Sequence, residues 1–423
     1  MLIEVVHTIA VGPLGPTGVG PRLCRRSLRA YSYSFTMTTD WWTRRLEALL
    51  GIPASSGNAV TVLRNGDEIF GSMLDAIRSA KRSIDLVTFV FWKGPITQDF
   101  TDALIERAEA GVRVRLLLDT FGSRHIAPTQ KRAMRSAGVD LRWFRPIEPA
   151  EGKRLTRVNR RTHRKVLICD EQIGFTGGVG IAQEWTGTAA NSDEWRDTHF
   201  RVEGPAVNGL HGGFIDNWLE TGPLQIDEVF DHFPALPARG SSTVQVVRGA
   251  AEAGSNDIAN LFEIMFREAQ EHIRITTAYF NPDDEVATML TDAALRGVQV
   301  DVLVPGQHAD KRFVQIVGEA RYAELLAAGI NIWAYDRTML HAKIVTVDGL
   351  VASVGSANIN QRSMQYDEEL NLVILDSDIV AELDADFAAD AAESETIDPS
   401  EWELRGPFQR AAERAASVVS DLI

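Results

Sequence analysis

The feature that most constrains this chain is a short pattern, His-x-Lys-(x)4-Asp, that occurs twice and is followed each time by a glycine-rich turn. Side chains alternate between the two faces of a β-strand, so the histidine and the lysine of each copy emerge on one face. An imidazole, an ammonium and a donor-rich turn at one point predict a phosphate-binding site. The defining residues of the two copies are His163, Lys165, Asp170, His341, Lys343 and Asp348.

The residues after the second copy predict a hairpin and a second turn. Asp348-Gly349 is typical of a tight turn, and residues 350–354 are expected to return as a strand. The next turn offers backbone N–H groups, the Ser356 hydroxyl and the Asn358 amide. We expect these groups to bind an oxyanion.

Two carboxylates are candidates for orienting the histidines. Glu369 and Asn371 form an i, i+2 pair on an apolar strand, and Glu369 is predicted to hold the His341 ring in one tautomer. Asp197 opens an alternating strand after the first copy and is the best counterpart of Glu369. Gly178, in the first turn, is expected to support the site as well.

A basic run leads directly into the first copy. Residues 153–165 carry seven basic side chains in thirteen positions. One interpretation is a solvated basic loop. The other, which we favour because the chain has a net charge of −15, is recruitment of an anionic substrate. The residues predicted to bind this anion are Arg154, Arg157, Arg160 and Arg161.

Strand and helix patterns alternate in the same order before each copy, which indicates an internal duplication. Gly111-Val112 aligns with Gly297-Val298, and Phe91 aligns with Phe280. This alternation predicts an α/β fold in which each half is a mixed β-sheet flanked by helices. The predicted divisions are an extension at 1–57, a first half at 58–222, a linker at 223–240, a second half at 241–395 and a helical tail at 396–423.

Composition argues against several classes of protein. The net charge of −15 disfavours nucleic acid as a partner. The two cysteines, Cys24 and Cys169, provide no disulfide framework or metal cluster, and Cys169 lies in an apolar run that is expected in the core. No carboxylate cluster suits Mg²⁺, so we expect neither a metal nor a cofactor. No apolar run approaches the ~20 residues of a membrane span, so we expect a cytoplasmic protein that associates peripherally with the membrane.

The first residues differ from the rest of the chain. Residues 1–39 carry one acid against four arginines, which fits either a targeting peptide or an unfolded extension. Residues 40–52 predict a short amphipathic helix with Asp40 as its N-cap. That helix is expected either to touch anionic lipid or to pack onto the protein.

The repeated pattern resembles the active-site signature of the phospholipase D superfamily, which the second copy matches at every defined position. From residue 58 onward the chain also resembles bacterial cardiolipin synthases. These further similarities are more specific than the catalytic signature, which hydrolases and nucleases share. The segments that carry them are 118–123, 175–178, 195–198, 204–205, 279–283, 339–343 and 358–363.

The resemblance implies two pseudo-symmetric phospholipase D-like halves that share one central active site. It implies phosphatidyl transfer between phospholipids, with phosphatidylglycerol as the expected substrate, through a phosphohistidine. In this scheme His163 is the nucleophile and His341 the general acid and base, while Lys165 and Lys343 neutralise the phosphate. Gly180 stands where the family has an asparagine, so one amide donor is either lost or replaced by close approach of other groups.

Three alternatives use the same sequence features differently. A phospholipase D-type hydrolase would take water as the acceptor. A nuclease would use the same groups, but the charge of the chain argues against it. A non-catalytic lipid-binding protein is disfavoured because the His-Lys pair is intact in both halves.

Overall fold

Strands from the two halves of the chain occupy equivalent positions in one sheet. The computed structural model describes residues 37–146, 159–222, 233–249 and 257–405. The strands in those residues are β1 (Ser55–Arg64), β2 (Ser83–Thr88), β3 (Arg113–Asp119), β4 (Asp140–Phe144), β5 (Val166–Cys169), β6 (Ile173–Gly177), β7 (Thr198–Glu203), β8 (Ser242–Arg248), β9 (His272–Thr277), β10 (Phe280–Asn281), β11 (Gln299–Pro305), β12 (Asn331–Tyr335), β13 (Lys343–Val347), β14 (Val351–Gly355), β15 (Ile359–Asn360), β16 (Leu370–Leu375) and β17 (Ser394–Thr396).

The order of the strands confirms the predicted duplication. The first half runs β1-β7-β6-β5-β2-β3-β4, and the second half runs β8-β16-β14-β13-β9-β11-β12. In each half two pairs are parallel, β2-β3 and β3-β4 or their equivalents β9-β11 and β11-β12. The other neighbours are antiparallel, so each half is the mixed sheet that alternating strands and helices predicted. Antiparallel pairing of β1 with β8 joins the two halves.

Helices connect and cover these strands. A 3₁₀ turn at Gln183–Trp185 follows the first glycine-rich turn. The α-helices in the described residues are Thr39–Leu50, Asn65–Ser79, Pro95–Glu109, Pro128–Ser136, Val207–Leu219, Asp257–Glu268, Asp284–Leu295, Arg312–Glu319, Tyr322–Ala327, Gln361–Gln365, Ser377–Ala392 and Pro399–Glu403.

A shared apolar core holds the halves together. Besides a core within each half, a third cluster combines residues of both, including Phe200 and Phe214 with Ile344 and Leu372. Burying one such side chain is worth about 1.5–3 kcal/mol. The halves therefore stabilise each other, and the surface between them is fixed well enough to position catalytic groups.

The first described helix packs onto the protein. Trp42 and Leu46 are fully buried in the second-half core, so packing rather than lipid contact explains its main apolar face. Its N-cap is Thr38, whose hydroxyl accepts from the N–H of Trp41; the prediction of Asp40 as N-cap was wrong because Asp40 lies in the first turn.

The predicted domain divisions stay predictions, although β17 extends the second-half sheet across residue 395 by pairing with β12. The extension at 1–36, part of the linker and the tail from 406 lie outside the described residues. Within the part of the chain that the structure describes, no helix has the length and apolar character needed to cross a bilayer.

Candidate active site

Two backbone contacts between the halves each carry one of the histidines. The N–H of His163 donates to the carbonyl of Glu368 at 2.9 Å, and the N–H of His341 donates to the carbonyl of Arg196 at 2.7 Å. Both contacts lie in short parallel bridges between the halves. The residue after each accepting carbonyl is a carboxylate, so each histidine lies beside an acid from the opposite half.

The histidine–carboxylate pairs are therefore crossed. His163 Nδ1 lies 3.0 Å from Glu369 Oε1, and His341 Nδ1 lies 2.9 Å from Asp197 Oδ2. The prediction that Glu369 holds His341 was wrong, because the backbone contacts across the pseudo-two-fold axis bring Glu369 to His163. A carboxylate only accepts hydrogen bonds, so each Nδ1 carries the proton and each Nε2 is left with a lone pair.

Both carboxylates are held in their charged form. Burial alone would raise the pKa of Glu369, but His163, Lys165 and the hydroxyl of Ser356 outweigh it and lower the pKa to about 2. Burial likewise opposes ionisation of Asp197, but His341 and Lys343 outweigh it and lower its pKa. The acids can therefore orient and stabilise the imidazoles without taking their protons.

The two lysines of the repeated pattern are buried beside their histidines. Lys165 Nζ donates to the carbonyl of His163 at 2.7 Å, and Lys343 Nζ donates to the carbonyl of His341 and lies 3.0 Å from its Nδ1. Burial lowers the pKa of Lys165 to about 7, and the charge of Lys343 adds to this. Burial also lowers the pKa of Lys343, to about 8. Two crowded ammonium groups of this kind are stabilised by an anion between them.

The histidines are neutral in this environment. The main cause is burial, which lowers the pKa of His163 to about 4 and the pKa of His341 to about 3. Glu369 and Asp197 partly oppose this shift. A neutral imidazole with a free Nε2 is the form that attacks phosphorus or accepts a proton.

A cavity of about 440 Å³ opens beside His163. Its apolar side includes Phe89, whose ring centroid is 5.4 Å from that of His163. Its polar side includes Asn358, Asn360 and Arg362 of the second half. The cavity therefore combines an apolar wall with hydrogen-bond donors around one histidine.

His341 has a different, aromatic environment. Its ring centroid is 5.1 Å from Trp185, 5.5 Å from Trp195 and 6.2 Å from Tyr279. The Trp185 Nε1–H donates to Asp197 Oδ2 at 2.9 Å, so the indole contacts both members of the His341–Asp197 pair. The His341 side chain is about half as exposed as that of His163, at 6% against 13%.

Asp170 and Asp348 do not face the cavity, although the pattern placed them with the catalytic groups. Each follows a strand that begins near its histidine, β5 or β13, and lies in the turn at the opposite end. The Asp170 carboxylate accepts from the N–H groups of residues 81–83, and the Asp348 carboxylate accepts from those of residues 270–272. We correct their assignment: both acids fix the starts of neighbouring strands.

The donors of the second glycine-rich turn are mostly used inside the protein. The N–H groups of Ser356 and Asn358 donate to Leu370 O at 3.1 Å and Ser363 Oγ at 3.1 Å. The N–H of Ala357 donates to the Asn371 side chain. The expected backbone cradle for an oxyanion was therefore wrong. Asn358 itself lines the cavity, with its Oδ1 accepting from the Thr277 hydroxyl at 3.5 Å, which leaves its amide nitrogen for a ligand.

Comparison with known proteins identifies the family. A family model described as "Cardiolipin synthase, PLD-like domain" matches residues 73–193 and 263–391. The chain belongs to this family. It is 32% identical to a probable cardiolipin synthase of Bacillus subtilis (strain 168) over 86% of this chain and 72% of the relative. It is 33% identical to a cardiolipin synthase of Geobacillus kaustophilus (strain HTA426) over 88% of this chain and 74% of the relative.

These matches confirm the resemblance to cardiolipin synthases: the chain is a cardiolipin synthase-like phosphatidyltransferase of the phospholipase D superfamily. The solved phosphatidylserine synthase of Haemophilus influenzae Rd KW20 has the same fold, with a TM-score of 0.70 at 15% identity. That similarity covers 90% of this chain and 100% of the solved one.

The glycines of the first turn serve different neighbours. A Cβ at Gly178 would lie 2.2 Å from Asp197 Oδ1, so this glycine admits the carboxylate. A Cβ at Gly180, where the family has asparagine, would lie 2.7 Å from the Val90 Cβ and 3.3 Å from the Trp185 ring. Protein side chains, rather than ligand space, occupy the position of the expected amide.

The predicted anion-binding arginines have mixed outcomes. Arg161 is buried, and it donates from Nε to Asp119 Oδ2 at 2.9 Å and to the carbonyls of Phe144 and Arg145. These contacts hold its guanidinium in place, but Arg161 also lines the cavity, so its assignment to an anionic substrate stays a prediction. Arg160 is partly exposed and stays a prediction, while Arg154 and Arg157 lie outside the described residues.

Other residues of this cardiolipin synthase-like site escaped the sequence analysis. Trp185 and Trp195 surround His341, and Arg362 on the cavity wall pairs with Asp367 at 2.9 Å. Trp195 and Arg362 belong to segments whose family resemblance was recognised, and that similarity was the available signal. Trp185 gave no signal, because its role depends on the space above Gly180.

Proposed function

We propose that this site transfers a phosphatidyl group from phosphatidylglycerol to the glycerol hydroxyl of a second phosphatidylglycerol. The observation that carries the proposal is the pair of crossed histidine–carboxylate contacts, in which each imidazole, with its lysine, is held by an acid of the opposite half. One imidazole suffices to bind phosphate. Two, each oriented by an acid, suit a displacement that needs both a nucleophile and a proton carrier.

His163 is the nucleophile in this proposal because it lines the cavity and is the more exposed of the two imidazoles, at 13% against 6%. Binding of the anionic phosphate favours the protonated form of His341. The Nε2 of His163 attacks phosphorus, a P–N bond forms, and the P–O bond to the leaving glycerol breaks as protonated His341 gives its Nε2 proton to the leaving oxygen. The glycerol hydroxyl of the second lipid then returns a proton to His341 while its oxygen attacks phosphorus and the P–N bond breaks. Lys165 and Lys343 balance the charge on the non-bridging oxygens.

The substrate also bears on where the protein works. Phospholipids reside in bilayers, so we propose that the protein binds an anionic membrane peripherally while it turns over. A cavity of about 440 Å³ is suited to a head group and its phosphate. The acyl chains then stay in the lipid phase.

Product analysis after incubation with phosphatidylglycerol vesicles tests the proposal. Cardiolipin with released glycerol is the expected result. Phosphatidate would identify a hydrolase instead, and no product would identify a lipid-binding protein. His163→Ala and His341→Ala should each lower turnover by at least about a thousandfold, and the double variant should be no worse than either single variant. His272→Ala, at an exposed contact with Gln299, is the matched control and should stay active.

A phosphatidyl donor with a nitrophenolate leaving group separates the roles of the two histidines. This leaving group needs no proton, so His341→Ala should still release one equivalent in a burst, whereas His163→Ala should release none. The reverse pattern would assign His341 as the nucleophile. Substantial residual turnover in both single variants would indicate two independent sites and contradict the shared site.

A further inference from the structure

Two exposed phenylalanines lie on equivalent connections of the two halves. Phe121 follows β3 and Phe313 follows β11, and these strands hold the same position in their half-sheets. Each side chain is 53% exposed. Leaving half of a phenylalanine in water forfeits stabilisation that burial would give, so a pair at matching sites suggests a partner.

Both phenylalanines belong to segments that line the cavity beside His163. Phe121 lines the cavity, and Phe313 lies between Lys311 and Val314, which both line it. The two halves therefore each place an exposed phenylalanine in or next to a segment that lines the same cavity.

Cations accompany the aromatic rings, although the whole chain is acidic. The Arg124 guanidinium lies 5.1 Å from the Phe121 ring centroid. Lys311 and Arg312 immediately precede Phe313 and are exposed. Asp310 is an acid on the same surface, and it accepts a hydrogen bond from the Tyr279 hydroxyl at 2.9 Å. Aromatic rings beside cations are the side chains that settle at the interface of an anionic bilayer.

We infer that Phe121 and Phe313, together with Arg124, Lys311 and Arg312, form a docking face that seats the cavity mouth on an anionic membrane. The inference rests on the proposed function, in which the acyl chains of the substrate stay in the bilayer. The phenylalanines enter the interface, and the cations contact lipid phosphates. Both halves dock at once, so the opening between them faces the head groups.

Another exposed apolar residue provides a matched control. Leu295 is 74% exposed and ends the helix before β11, whereas Phe313 follows that strand. A strand of this length separates the two positions by roughly 20 Å. Loss of a large apolar side chain can therefore be compared at the proposed face and at the other end of the same strand.

Co-sedimentation with vesicles of phosphatidylglycerol and phosphatidylcholine tests the docking face. Phe313→Ser should reduce binding at least about fivefold, and Phe121→Ser should reduce it by a similar factor. Arg124→Gln should reduce binding most at low ionic strength, because salt screens its charge. Leu295→Ser should bind like the wild type. Equal binding by Phe313→Ser and the wild type, or equal losses in Phe313→Ser and Leu295→Ser, would overturn the inference.

Activity on a short-chain phosphatidylglycerol below its micelle concentration separates this inference from the proposed function. Phe313→Ser should match the wild type on this monomeric lipid and fall behind it on vesicles. If the wild type makes no cardiolipin from either lipid, the proposed function fails, and the binding difference still decides the docking face. If the wild type does not bind anionic vesicles at all, the docking face is refuted, and the two exposed phenylalanines would instead indicate a protein partner.

Discussion

The two halves share their strand order and their histidine–lysine pattern, yet they surround their histidines with different side chains. His163 faces a cavity whose polar wall includes Asn358 and Arg362. His341 lies against Trp185 and Trp195. A duplicated scaffold has therefore kept the charged groups and changed the neighbours that determine what can reach each imidazole.

Equivalent positions show how this difference arose in structural terms. The bridge between Phe91 and Ile181 corresponds to the pairing of Phe280 with Ile359. Counting from these pairs, Gly180 corresponds to Asn358. In the same way Trp185 corresponds to Ser363, whose hydroxyl accepts from the Asn358 N–H in the second half. The second half thus has Asn358 and Ser363 where the first half has Gly180 and Trp185. The Trp185 indole fills the space beside Gly180 and donates a hydrogen bond to Asp197.

Substituting the two histidine-bound carboxylates one at a time should give the largest difference in activity between the halves. Glu369→Gln and Asp197→Asn should each lower turnover about a hundred- to ten-thousandfold, because the partner imidazole loses its orientation and its stabilising charge. With the nitrophenyl donor, however, Asp197→Asn should keep the burst, whereas Glu369→Gln should lose it. Burst kinetics on both variants measure this.

The crossed pairing predicts which of the two variants loses the burst. If His163→Ala lost the burst as expected, but Glu369→Gln kept it and Asp197→Asn lost it, each acid would serve the histidine of its own half. Asp348→Ala is the control, since this acid holds a turn: it should lower the melting temperature and leave the burst intact.

The sequence was sufficient for features that depend on neighbours in the chain. The Asp348-Gly349 turn was predicted from its dipeptide, and both residues have positive φ, 54° and 66°. Burial of Cys169 followed from its apolar run. These outcomes are local, so residue type and spacing determine them.

The crossed histidine–carboxylate pairs could not be predicted from the sequence, because their members are far apart in the chain. His163 and Glu369 are 206 positions apart, and their contact depends on how one half packs against the other. The same reason explains why the Ser356 hydroxyl and the backbone N–H groups of its turn were assigned to an oxyanion. Their partners within the protein become apparent only once β14 and β16 are paired.

An asparagine at Gly180 tests whether the asymmetry between the turns is fixed by packing. Gly180→Asn should lower activity about ten- to a hundredfold, because its side chain must displace Val90 and the indole that holds the His341–Asp197 pair. It should also lower the melting temperature. Steady-state transfer assays and thermal unfolding measure the two effects.

The reverse substitution, Asn358→Gly, is the matched comparison. It removes a cavity donor, and a hydrogen bond to a charged group is worth about 1.5–3 kcal/mol. It should slow transfer by a similar factor with a smaller loss of stability. A Gly180→Asn enzyme that is faster than the wild type would show that a donor is simply missing from the first half.

The smallest contrast concerns charge pairs on the helix-covered faces of the two sheets. In the first half Asp85 pairs with Arg115 at 2.6 Å, and His211 Nε2 lies 2.9 Å from its other oxygen, all buried. The equivalent strand positions in the second half carry the opposite charges, Arg274 and Asp301. Arg274 there pairs with Asp384 of the covering helix at 2.7 Å, closer to solvent.

The same Asp→Asn change in each half should therefore cost different amounts of stability. Asp85→Asn should lower the free energy of unfolding by about 3–5 kcal/mol, because it removes the carboxylate that neutralises the buried Arg115 guanidinium. Asp384→Asn should cost about 1 kcal/mol, since water can replace part of the contact with Arg274. Urea unfolding of both variants measures the difference, and equal shifts in midpoint would show that burial does not separate the two pairs.

The loss of stability caused by Asp85→Asn should also depend on pH. Burial would raise the pKa of Asp85, but Arg115 and His211 outweigh burial and hold it far below its ordinary value. A carboxyl whose pKa is lowered by folding stabilises the protein above its unfolded pKa, and that contribution is lost as the pH falls towards the folded pKa. The cost of Asp85→Asn should thus be full at neutral pH and shrink below about pH 4, where unfolded aspartates take up protons. A cost that grew as the pH fell would mean that the carboxyl is protonated in the folded protein, and the buried charges of the first half would then need a different counter-ion.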